Sequence, residues 1–319
     1  MRRVALKKGI IDRPNERSSH VLPTPRGGGL AIVGTSVALQ AILLWLQIIN
    51  PRLAIALMVG GSSVAYIGFV DDRGSVSAGV RSCVHFAAAL IAVVILGGLP
   101  ALQVGKELLD LGVVGSLIAI VAVVWVLNLF NFMDGIDGIA GSEAVFVTGA
   151  GALLGLVAGI VPGISVAALV TCGASFGFLV WNWPPAKVFM GDVGSGYLGY
   201  VIAVLALASA VHNPVMLFAW LILGGAFFCD ATATLLRRFF SGKRLSEAHR
   251  SHVYQKMARG WGSHKRVTLL VWSINILWLL PNAFWCLKCP ALAPIIVVVA
   301  LAPLIVVTVM TGAGRDEIP

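Results

Sequence analysis

Residues 111–138 read LGVVGSLIAIVAVVWVLNLFNFMDGIDG, an apolar run that ends in a polar motif. The first twenty of these residues carry no charge and are long enough to cross a bilayer as an α-helix. Polar side chains then recur at every third position, at Asn128, Asn131, Asp134 and Asp137, and form a narrow strip where the helix leaves the membrane. The alternative is a structural role, because asparagine can hydrogen-bond between transmembrane helices. That role explains a single asparagine better than four polar residues spaced three positions apart. The strip therefore predicts a functional site for a hard cation or a polar ligand.

The rest of the sequence consists largely of similar apolar runs. Of the 319 residues, 58% are hydrophobic and 12% are charged, whereas a soluble protein carries about a quarter charged residues. We predict an all-α, polytopic integral membrane protein that forms a single membrane-embedded domain over residues 1–319. About ten transmembrane helices, of roughly 20 residues each, are expected near 27–48, 51–70, 80–100, 111–130, 140–158, 161–181, 193–210, 214–236, 267–285 and 291–311.

The distribution of basic residues sets the predicted orientation. The net charge of +9 could indicate nucleic-acid binding. With ten spans, however, 20 of the 23 Lys and Arg residues fall on one side, and only Arg52, Lys106 and Lys288 fall on the other. Because positively charged loops stay in the cytoplasm, the polar strip and both termini are predicted to be cytoplasmic. No nucleic-acid partner is expected.

Two further acidic groups emerge on the same predicted side. Asp71 and Asp72 end the second span, and adjacent carboxylates repel each other unless a cation is near, with Arg73 and Arg81 as candidate counter-charges. Asp192 lies just before the seventh span. A lone Asp at that place can cap a helix. The alternative is a magnesium ligand, because Mg²⁺ combines one or two carboxylates with phosphate oxygens and water.

Basic and histidine-containing segments lie near these acids in the predicted topology. Lys187 would suit a phosphate, and Arg26 precedes three glycines that open the first span. For the segment around Arg26, anion binding is only weakly favoured over a flexible linker. Ser246 is a plausible N-cap and Gly260 a plausible helix stop, and Val253, Met257 and Trp261 recur at a spacing of four opposite charged residues. This pattern predicts an interfacial amphipathic helix, with a solvated loop as the alternative. That helix would carry His249, Arg250 and His252.

Two features stay open at this stage. Asp230 is an acid inside a predicted span, and it could pair with a basic residue or join the site. Cys286 and Cys289 form a CxxC in the last outer turn, where a disulfide is an alternative to two free thiols.

The motifs together resemble a known family. They are Pro23-Thr-Pro-Arg-Gly-Gly-Gly29, the Asp71-Asp72 pair, Asn128-Leu-Phe-Asn-Phe-Met-Asp-Gly-Ile-Asp-Gly138, a segment from Asn182 to Ser195, and a late His249-Arg-Ser-His252 motif. The set is similar to the polyprenyl-phosphate N-acetylhexosamine-1-phosphate transferases of glycosyltransferase family 4. The late motif and Pro14–His20 look most like the bacterial O-antigen-initiating branch.

The resemblance implies a reaction and a setting. A UDP-N-acetyl-sugar would give its sugar 1-phosphate to undecaprenyl phosphate, with release of UMP, as the first membrane step of O-antigen-type polysaccharide synthesis. A phosphate monoester has a second pKa near ~6, so no strong base is needed, and the site must mainly neutralise phosphate charge. The enzyme would be a multi-pass protein of the bacterial inner membrane, and a homodimer is one option for its assembly.

The resemblance also implies roles for individual residues. Asp192 is the expected ligand of Mg²⁺, with Mn²⁺ as an alternative metal and Asn131 as a second ligand. Asp71 and Asp72 match an essential pair, of which one orients or deprotonates the lipid phosphate; with Asp192 they form the expected catalytic set. The expected substrate contacts are His20, Arg26, Arg81, Asn128, Asp134, Asp137, Asn182, Lys187, His249, Arg250 and His252.

The sequence departs from the family pattern in two places. Some relatives carry Lys shortly after the Asp pair, where this chain has Arg73, so Arg73 or Arg81 is expected to serve. Relatives usually have one more span before the first cytoplasmic motif, and this first span is missing from residues 1–319.

Three other functions account less well for the residues. Transporters bind substrate near the membrane midplane, whereas these acids lie at one face. Phospholipid synthases of the CDP-alcohol type also use an aspartate-rich motif, but theirs requires an Arg that is absent after Asp134-Gly-Ile-Asp-Gly. A purely structural scaffold would not need oxygen ligands in this arrangement. The sequence does not name the sugar, because the candidates differ by hydroxyl groups that a few side chains read.

Overall fold

The computed structural model describes residues 11–12, 24–105, 107–243 and 249–315. Helices dominate these ranges, and the strands form two short antiparallel pairs, β1 (Ile11–Asp12) with β2 (Thr24–Pro25) and β3 (Leu102–Val104) with β4 (Glu107–Leu109). The predicted all-α fold is therefore confirmed. The helices are α1 (Gly29–Trp45), α2 (Pro51–Asp71), α3 (Ala78–Leu96), α4 (Gly112–Met133), α5 (Ile139–Val157), α6 (Pro162–Asn182), α7 (Asp192–His212), α8 (Val215–Leu223), α9 (Gly225–Phe240), α10 (Val253–Trp261), α11 (His264–Lys288) and α12 (Pro290–Met310).

All ten predicted spans are helical, but two of them differ from the prediction. Eight helices in the described part of the chain are long and apolar enough to cross a membrane. The first helix, α1, has only 17 residues, fewer than the roughly 20 that a span needs. The span predicted at 214–236 consists of α8 and α9, which meet at 75°. The adjacent Gly224 and Gly225 lie at this break, and glycine is a common cause of sharp kinks.

The helix α7 lies at the centre of the bundle, and every residue from Val193 to Ala210 is buried. Glycines let the neighbouring backbones approach α7 closely. A Cβ on Gly29 of α1 would lie 2.4 Å from the Cα of Gly194, and a Cβ on Gly68 of α2 would lie 2.5 Å from the carbonyl oxygen of Asp192. These contacts bring the start of α1 and the end of α2 against the start of α7.

Successive spans run in opposite directions, so one face of the bundle collects the ends that carry the polar motifs. We call it the site face, and it holds the starts of α1, α3, α5, α7 and α11 and the ends of α2, α4, α6, α9 and α12. The predicted convergence of the three acidic groups on one side is confirmed by contacts among their residues. The opposite face carries Arg52 and the CxxC turn, in which Cys286 and Cys289 are free thiols.

Candidate active site

Asp72 fixes the start of α7. Its Oδ1 accepts a hydrogen bond from the backbone N–H of Asp192 at 3.0 Å, and its Oδ2 accepts one from Val193 at 3.2 Å. The first N–H groups of a helix have no partner within that helix, so this carboxylate anchors α7 to α2. Burial raises the pKa of the Asp72 carboxyl, while the two N–H donors and Arg26, whose Nε lies 3.6 Å from Oδ1, oppose the rise. Asp72, with a side chain only 2% exposed, therefore holds Asp192 in position.

Asp71, Arg81 and Asp192 form a charged cluster beside this junction. Arg81 Nη1 donates to Asp71 Oδ2 and lies 3.7 Å from Asp192 Oδ2. Asp71 Oδ1 accepts from the backbone N–H of Val76 at 2.8 Å, which fixes the turn between α2 and α3. The carboxyl groups of Asp71 and Asp192 also contact each other. The Asp192 side chain is 29% exposed and that of Asp71 is 12% exposed, so Asp192 is the more accessible of the two acids.

The polar strip at the end of α4 reaches the same cluster. Asn131 Nδ2 donates to the hydroxyl of Ser195 at 3.1 Å, and the Asn131 side chain also contacts Asp192. Asn128 lies about one turn earlier, and its Nδ2 donates to the carbonyl of Val124 at 2.7 Å. The structure thus brings Asn131 and Asp192, the two predicted metal ligands, into contact.

Asp134 lies where α4 ends, among the other acids. Burial raises the pKa of its carboxyl well above the usual range, and Arg26 opposes this rise. Neighbouring negative charges push the pKa further upward, and they belong to Asp192, Asp72 and Asp137. Among the described residues, the carboxylates of Asp71, Asp72, Asp134 and Asp192 lie together with the guanidinium groups of Arg26 and Arg81, and such a concentration of acids favours binding of a cation.

Asp137 and Asn182 both hold loops together in the structure. Asp137 Oδ2 accepts from the backbone N–H of Ala186 at 3.0 Å. Asn182 is 3% exposed; its Oδ1 accepts from the Gly138 N–H, and its Nδ2 donates to the Val188 carbonyl, each at 2.9 Å. Since both polar atoms of the Asn182 amide are bonded to backbone, we interpret it as a positioning residue rather than a substrate contact.

Asp230 organises the histidines on the other side of the site. It is 5% exposed in α9, and its carboxylate accepts from the backbone N–H groups of Val253 at 3.0 Å and Tyr254 at 3.1 Å. The same carboxylate lies 3.2 Å from His252 Nδ1. His249 stacks on His252 with 5.0 Å between ring centres. The sequence left two roles open for Asp230, a pair with a basic residue or a place in the site, and the structure pairs it with His252 beside the cavity.

The helix α10 begins later than the sequence predicts. The Asp230 carboxylate caps its first N–H groups, so the helix starts at Val253. The predicted cap, Ser246, lies outside the described residues. The helix ends before Gly262, which has a φ of 59°, and not at Gly260. Three residues predicted to lie on this helix therefore precede it, namely His249, Arg250 and His252.

Four other predicted contacts have different outcomes. Arg26 reaches the acidic cluster through Asp72. Lys187 and Arg250 are exposed and are absent from the lining of the cavity described next. His20 falls outside the described residues, so its predicted contact stays a prediction.

A cavity of about 670 Å³ opens beside the charged cluster. Its polar end is formed by Arg81, Asn128, Asn131, Asp192, His249 and His252. Its apolar walls include Val64, Phe86, Val121, Val124, Leu127 and Leu235. Val121 is 58% exposed and Phe86 is 44% exposed, so the cavity reaches the outer surface of the bundle. A polar end joined to apolar walls suits an amphiphilic ligand.

Comparison with known proteins identifies the family. A model of glycosyl transferase family 4 matches residues 54–210. A phospho-N-acetylmuramoyl-pentapeptide-transferase from Ruegeria pomeroyi is 32% identical over 291 residues, which cover 80% of this chain and 77% of that protein. The chain belongs to glycosyl transferase family 4. The predictions of this family and of an enzyme are confirmed.

Two other relatives in family 4 are named for a polyprenyl phosphate and N-acetylglucosamine. A probable undecaprenyl-phosphate N-acetylglucosaminyl 1-phosphate transferase from Bacillus subtilis is 28% identical over 285 residues, covering 87% of this chain and 77% of that protein. A decaprenyl-phosphate N-acetylglucosaminephosphotransferase from Mycolicibacterium smegmatis is 29% identical over 313 residues, covering 85% and 74%. The family match over 54–210 contains the acidic cluster, and the histidine segment lies beyond its end.

The carboxylate and amide oxygens of this site are of the kind that Mg²⁺ prefers. Among the described residues, no group of three or more His, Cys, Asp or Glu side chains is arranged to hold a metal by itself. Mg²⁺ does not require such a cage, because it commonly combines one or two protein oxygens with phosphates and water. Asp192 and Asn131 touch each other at the polar end of the cavity. The neighbouring carboxylates of Asp71, Asp72 and Asp134 supply negative charge that a cation would balance.

Proposed function

We propose that this enzyme transfers an N-acetylhexosamine 1-phosphate from a UDP-sugar to undecaprenyl phosphate and releases UMP. The observation that carries the proposal is the cavity, whose charged end lies on the site face and whose apolar walls reach the outer surface of the bundle. A lipid phosphate has the same two parts. The names of the relatives from Bacillus subtilis and Mycolicibacterium smegmatis support the polyprenyl phosphate and the N-acetylglucosamine-type donor.

The proposed chemistry is a single phosphoryl transfer. An oxygen of the lipid phosphate attacks the β-phosphorus of the UDP-sugar, and the bond from that phosphorus to the bridging oxygen breaks. The electron pair of the broken bond leaves with UMP, and the product is a lipid-linked pyrophosphoryl sugar. A phosphate monoester with a second pKa of about 6 is already a dianion for most molecules at neutral pH. The enzyme therefore has to position two anions and stabilise their charge more than it has to remove a proton.

The charged cluster would position the lipid phosphate. Arg81 is 37% exposed, lines the cavity and is held by Asp71, so its guanidinium can pair with a phosphate at the head of the groove. Asp71 would orient the lipid phosphate through this arginine. Asp72 would act indirectly, because its carboxylate is occupied by the start of α7 and by Arg26.

The donor would lie between the polar strip and the histidines. We assign Asn128 and Asp134 to the nucleotide side, and His249 and His252 to the sugar or its pyrophosphate. The histidines are 5.0 Å apart between ring centres, and both line the cavity. Burial lowers the pKa of His249 to about 4, so this imidazole is neutral at pH 7 and can donate or accept a hydrogen bond.

Asp192 and Asn131 would hold Mg²⁺, with Mn²⁺ as a substitute. When bound, the metal supplies positive charge to the pyrophosphate oxygens of the donor. Asp72 and Ser195 support this pair, since Asp72 fixes the backbone of Asp192 and the Ser195 hydroxyl accepts from Asn131.

We place the enzyme in the inner membrane of a bacterium with the site face toward the cytoplasm. Basic residues are concentrated in the segments of that face, as the positive-inside rule requires, and a UDP-sugar is a cytoplasmic metabolite. The histidine motif that follows α9 supports a role in starting an O-antigen-type polysaccharide. A homodimer is compatible with this placement.

Release of UMP by the purified protein tests the proposal. With undecaprenyl phosphate, Mg²⁺ and a panel of UDP-N-acetyl-sugars, we expect UMP release that depends on both the lipid and the donor. Chelation of the metal with EDTA should abolish it, and added Mg²⁺ should restore it. UMP formation without lipid would indicate a hydrolase, and activity unchanged by EDTA would remove the metal from the proposal.

The apolar walls of the cavity give a separate test of the lipid groove. Replacing Val121 with tryptophan would fill the mouth of the groove, and overpacking an apolar site costs ~1–3 kcal/mol, so KM for the lipid phosphate should rise about tenfold. KM for the donor should stay within about twofold of the wild-type value, because the donor binds at the polar end. Initial rates with each substrate varied in turn measure both constants.

Val114→Trp is the matched control for this variant. Val114 lies on the same helix and is 60% exposed, against 58% for Val121, but it is outside the cavity lining. A similar rise in KM for the lipid in both variants would contradict the proposed groove.

A further inference from the structure

Residues 311–315 follow α12 and lie against the site face; we call them the C-terminal strap. Arg237 Nη1 donates to the carbonyl of Ala313 at 2.8 Å, and Lys256 Nζ donates to the carbonyl of Gly312 at 2.7 Å. The backbone N–H of Gly314 donates to the carbonyl of Ser251 at 2.9 Å. The strap is thus bonded to α9, to α10 and to the segment that joins them, which carries the histidines.

Gly314 is fitted closely into this junction. It is buried and has a φ of +79°, which favours glycine over other residues. A Cβ at this position would lie 2.8 Å from the carbonyl oxygen of Thr234 and 3.2 Å from Cβ of Arg237. The preceding Ala313 is 1% exposed. The strap is therefore held by three hydrogen bonds and by the burial of Ala313 and Gly314, whereas a segment that merely rests on a surface has few such contacts.

Ser251 connects the strap to His249. Ser251 accepts the Gly314 hydrogen bond with its carbonyl oxygen, and its hydroxyl lies 2.9 Å from His249 Nδ1. His249 also stacks on His252, which the Asp230 carboxylate holds from the opposite side. The position of the His249 ring therefore depends on Asp230 at one end and on the strap at the other.

We propose that the C-terminal strap is a positioning element that sets the His249 imidazole at the polar end of the cavity for the sugar nucleotide. The identity of the ligand in this proposal rests on the proposed function. The hydrogen bonds of the strap to Arg237, Lys256 and Ser251 do not depend on it. Gly314 and Ser251 act through His249 and are not themselves among the residues that line the cavity. The strap would therefore affect donor binding and leave the lipid groove unchanged.

Chemical labelling of histidine with diethyl pyrocarbonate, mapped by mass spectrometry, tests the strap independently of activity. Gly314→Ala should move Ser251 and raise the labelling rate of His249 severalfold. The exposed His212 on the opposite face serves as the internal reference and should not change. Gly159→Ala is the matched control, because Gly159 lies outside the strap, between α5 and α6, and has a similar φ of +67°, but a Cβ there would meet nothing within 4 Å. Lys256→Met, which removes one strap contact without backbone strain, replaces Gly314→Ala if that variant fails to fold.

Kinetics of UMP release on the same variants completes the test. Gly314→Ala should lower kcat/KM for the sugar nucleotide roughly tenfold, a loss typical of small misplacements in a site. KM for the lipid phosphate should stay near that of the wild type, whereas the unfolding temperature should fall, because the added Cβ lies 2.8 Å from the backbone carbonyl oxygen of Thr234. Unchanged labelling of His249, or equal effects of Gly314→Ala and Gly159→Ala, would overturn the proposed role of the strap. Changed labelling with unchanged donor kinetics would overturn its role in binding. A wild-type protein that releases no UMP with any donor would refute the proposed function. The labelling rate of His249 would still test whether the strap positions this imidazole.

Discussion

Replacing Asp192 with asparagine is expected to lower turnover by about 10²–10³-fold, the loss usual when one charge-stabilising group is removed from a preorganised site. Asparagine keeps the shape of the side chain and its contact with Asn131, but it removes the carboxylate charge that would hold the metal. Folding should change little, since the charge of an acid in the first turn of a helix contributes only ~0.3–1 kcal/mol. The Mg²⁺ concentration that gives half-maximal rate should also rise. Initial rates of UMP release over a range of Mg²⁺ concentrations measure both effects.

Asp110→Asn is the control for this variant. Asp110 is an exposed acid on the opposite face, where its Oδ1 accepts from the backbone N–H of Gly112 at 2.9 Å, a contact that asparagine preserves. This control should retain wild-type turnover and Mg²⁺ dependence. If the Asp192 and Asp110 variants were equally active, Asp192 could not be the metal ligand, and the metal would have to bind elsewhere among the acids.

The convergence of the acidic groups follows from the sequence by topology alone. When spans alternate in direction, segments separated by an even number of spans emerge on the same side. The positions of Asp71, Asp134 and Asp192 relative to the apolar runs therefore place all three on one face without knowledge of packing. The same reasoning brought Arg26 and the histidine segment there. Family motifs then indicated which chemistry these residues would carry.

The roles of individual residues could not be obtained in this way, because they depend on contacts between distant helices. Asp72 caps α7 only because Gly68 allows the end of α2 to approach the backbone of Asp192. The local sequence of Asp72 contains no sign of this partner, which lies 120 residues away. Asn182 is similar, since its two hydrogen bonds go to loops whose paths the sequence does not specify.

Two errors in the predicted helices have different origins. The bend between α8 and α9 has a local signal, the adjacent Gly224 and Gly225, which the long hydrophobic run concealed. The start of α10 has no such signal. Ser246 is a good cap by local rules, but the carboxylate of Asp230 on another helix supplies the cap at Val253. A buried carboxylate on another helix can thus supply the cap and set the start of a helix in place of a local capping residue.

Replacing Asp230 with asparagine is expected to give the second-largest effect, with turnover reduced tenfold or more and a lower unfolding temperature. The carboxylate accepts from Val253, Tyr254 and Thr234 and also contacts His252. An amide has only one acceptor oxygen, so its NH₂ group would face a buried N–H donor, and an unmet buried hydrogen bond costs ~1–3 kcal/mol. Glu107→Gln, which changes an exposed acid on the opposite face, should leave both quantities unchanged.

A double-mutant cycle separates loss of positioning from loss of stability. Suppose that Asp230 acts on the reaction by orienting His252. Asp230→Asn should then reduce turnover much less in a His252→Ala background than in the wild type. The reason is that substitutions of two residues that act as a unit have non-additive effects on turnover. The fall in unfolding temperature should persist in both backgrounds, since the cap on α10 is lost in each. Fully additive losses of turnover would mean that Asp230 supports the fold alone. Histidine positioning would then have to come from the stacking of His249 on His252 and from the C-terminal strap.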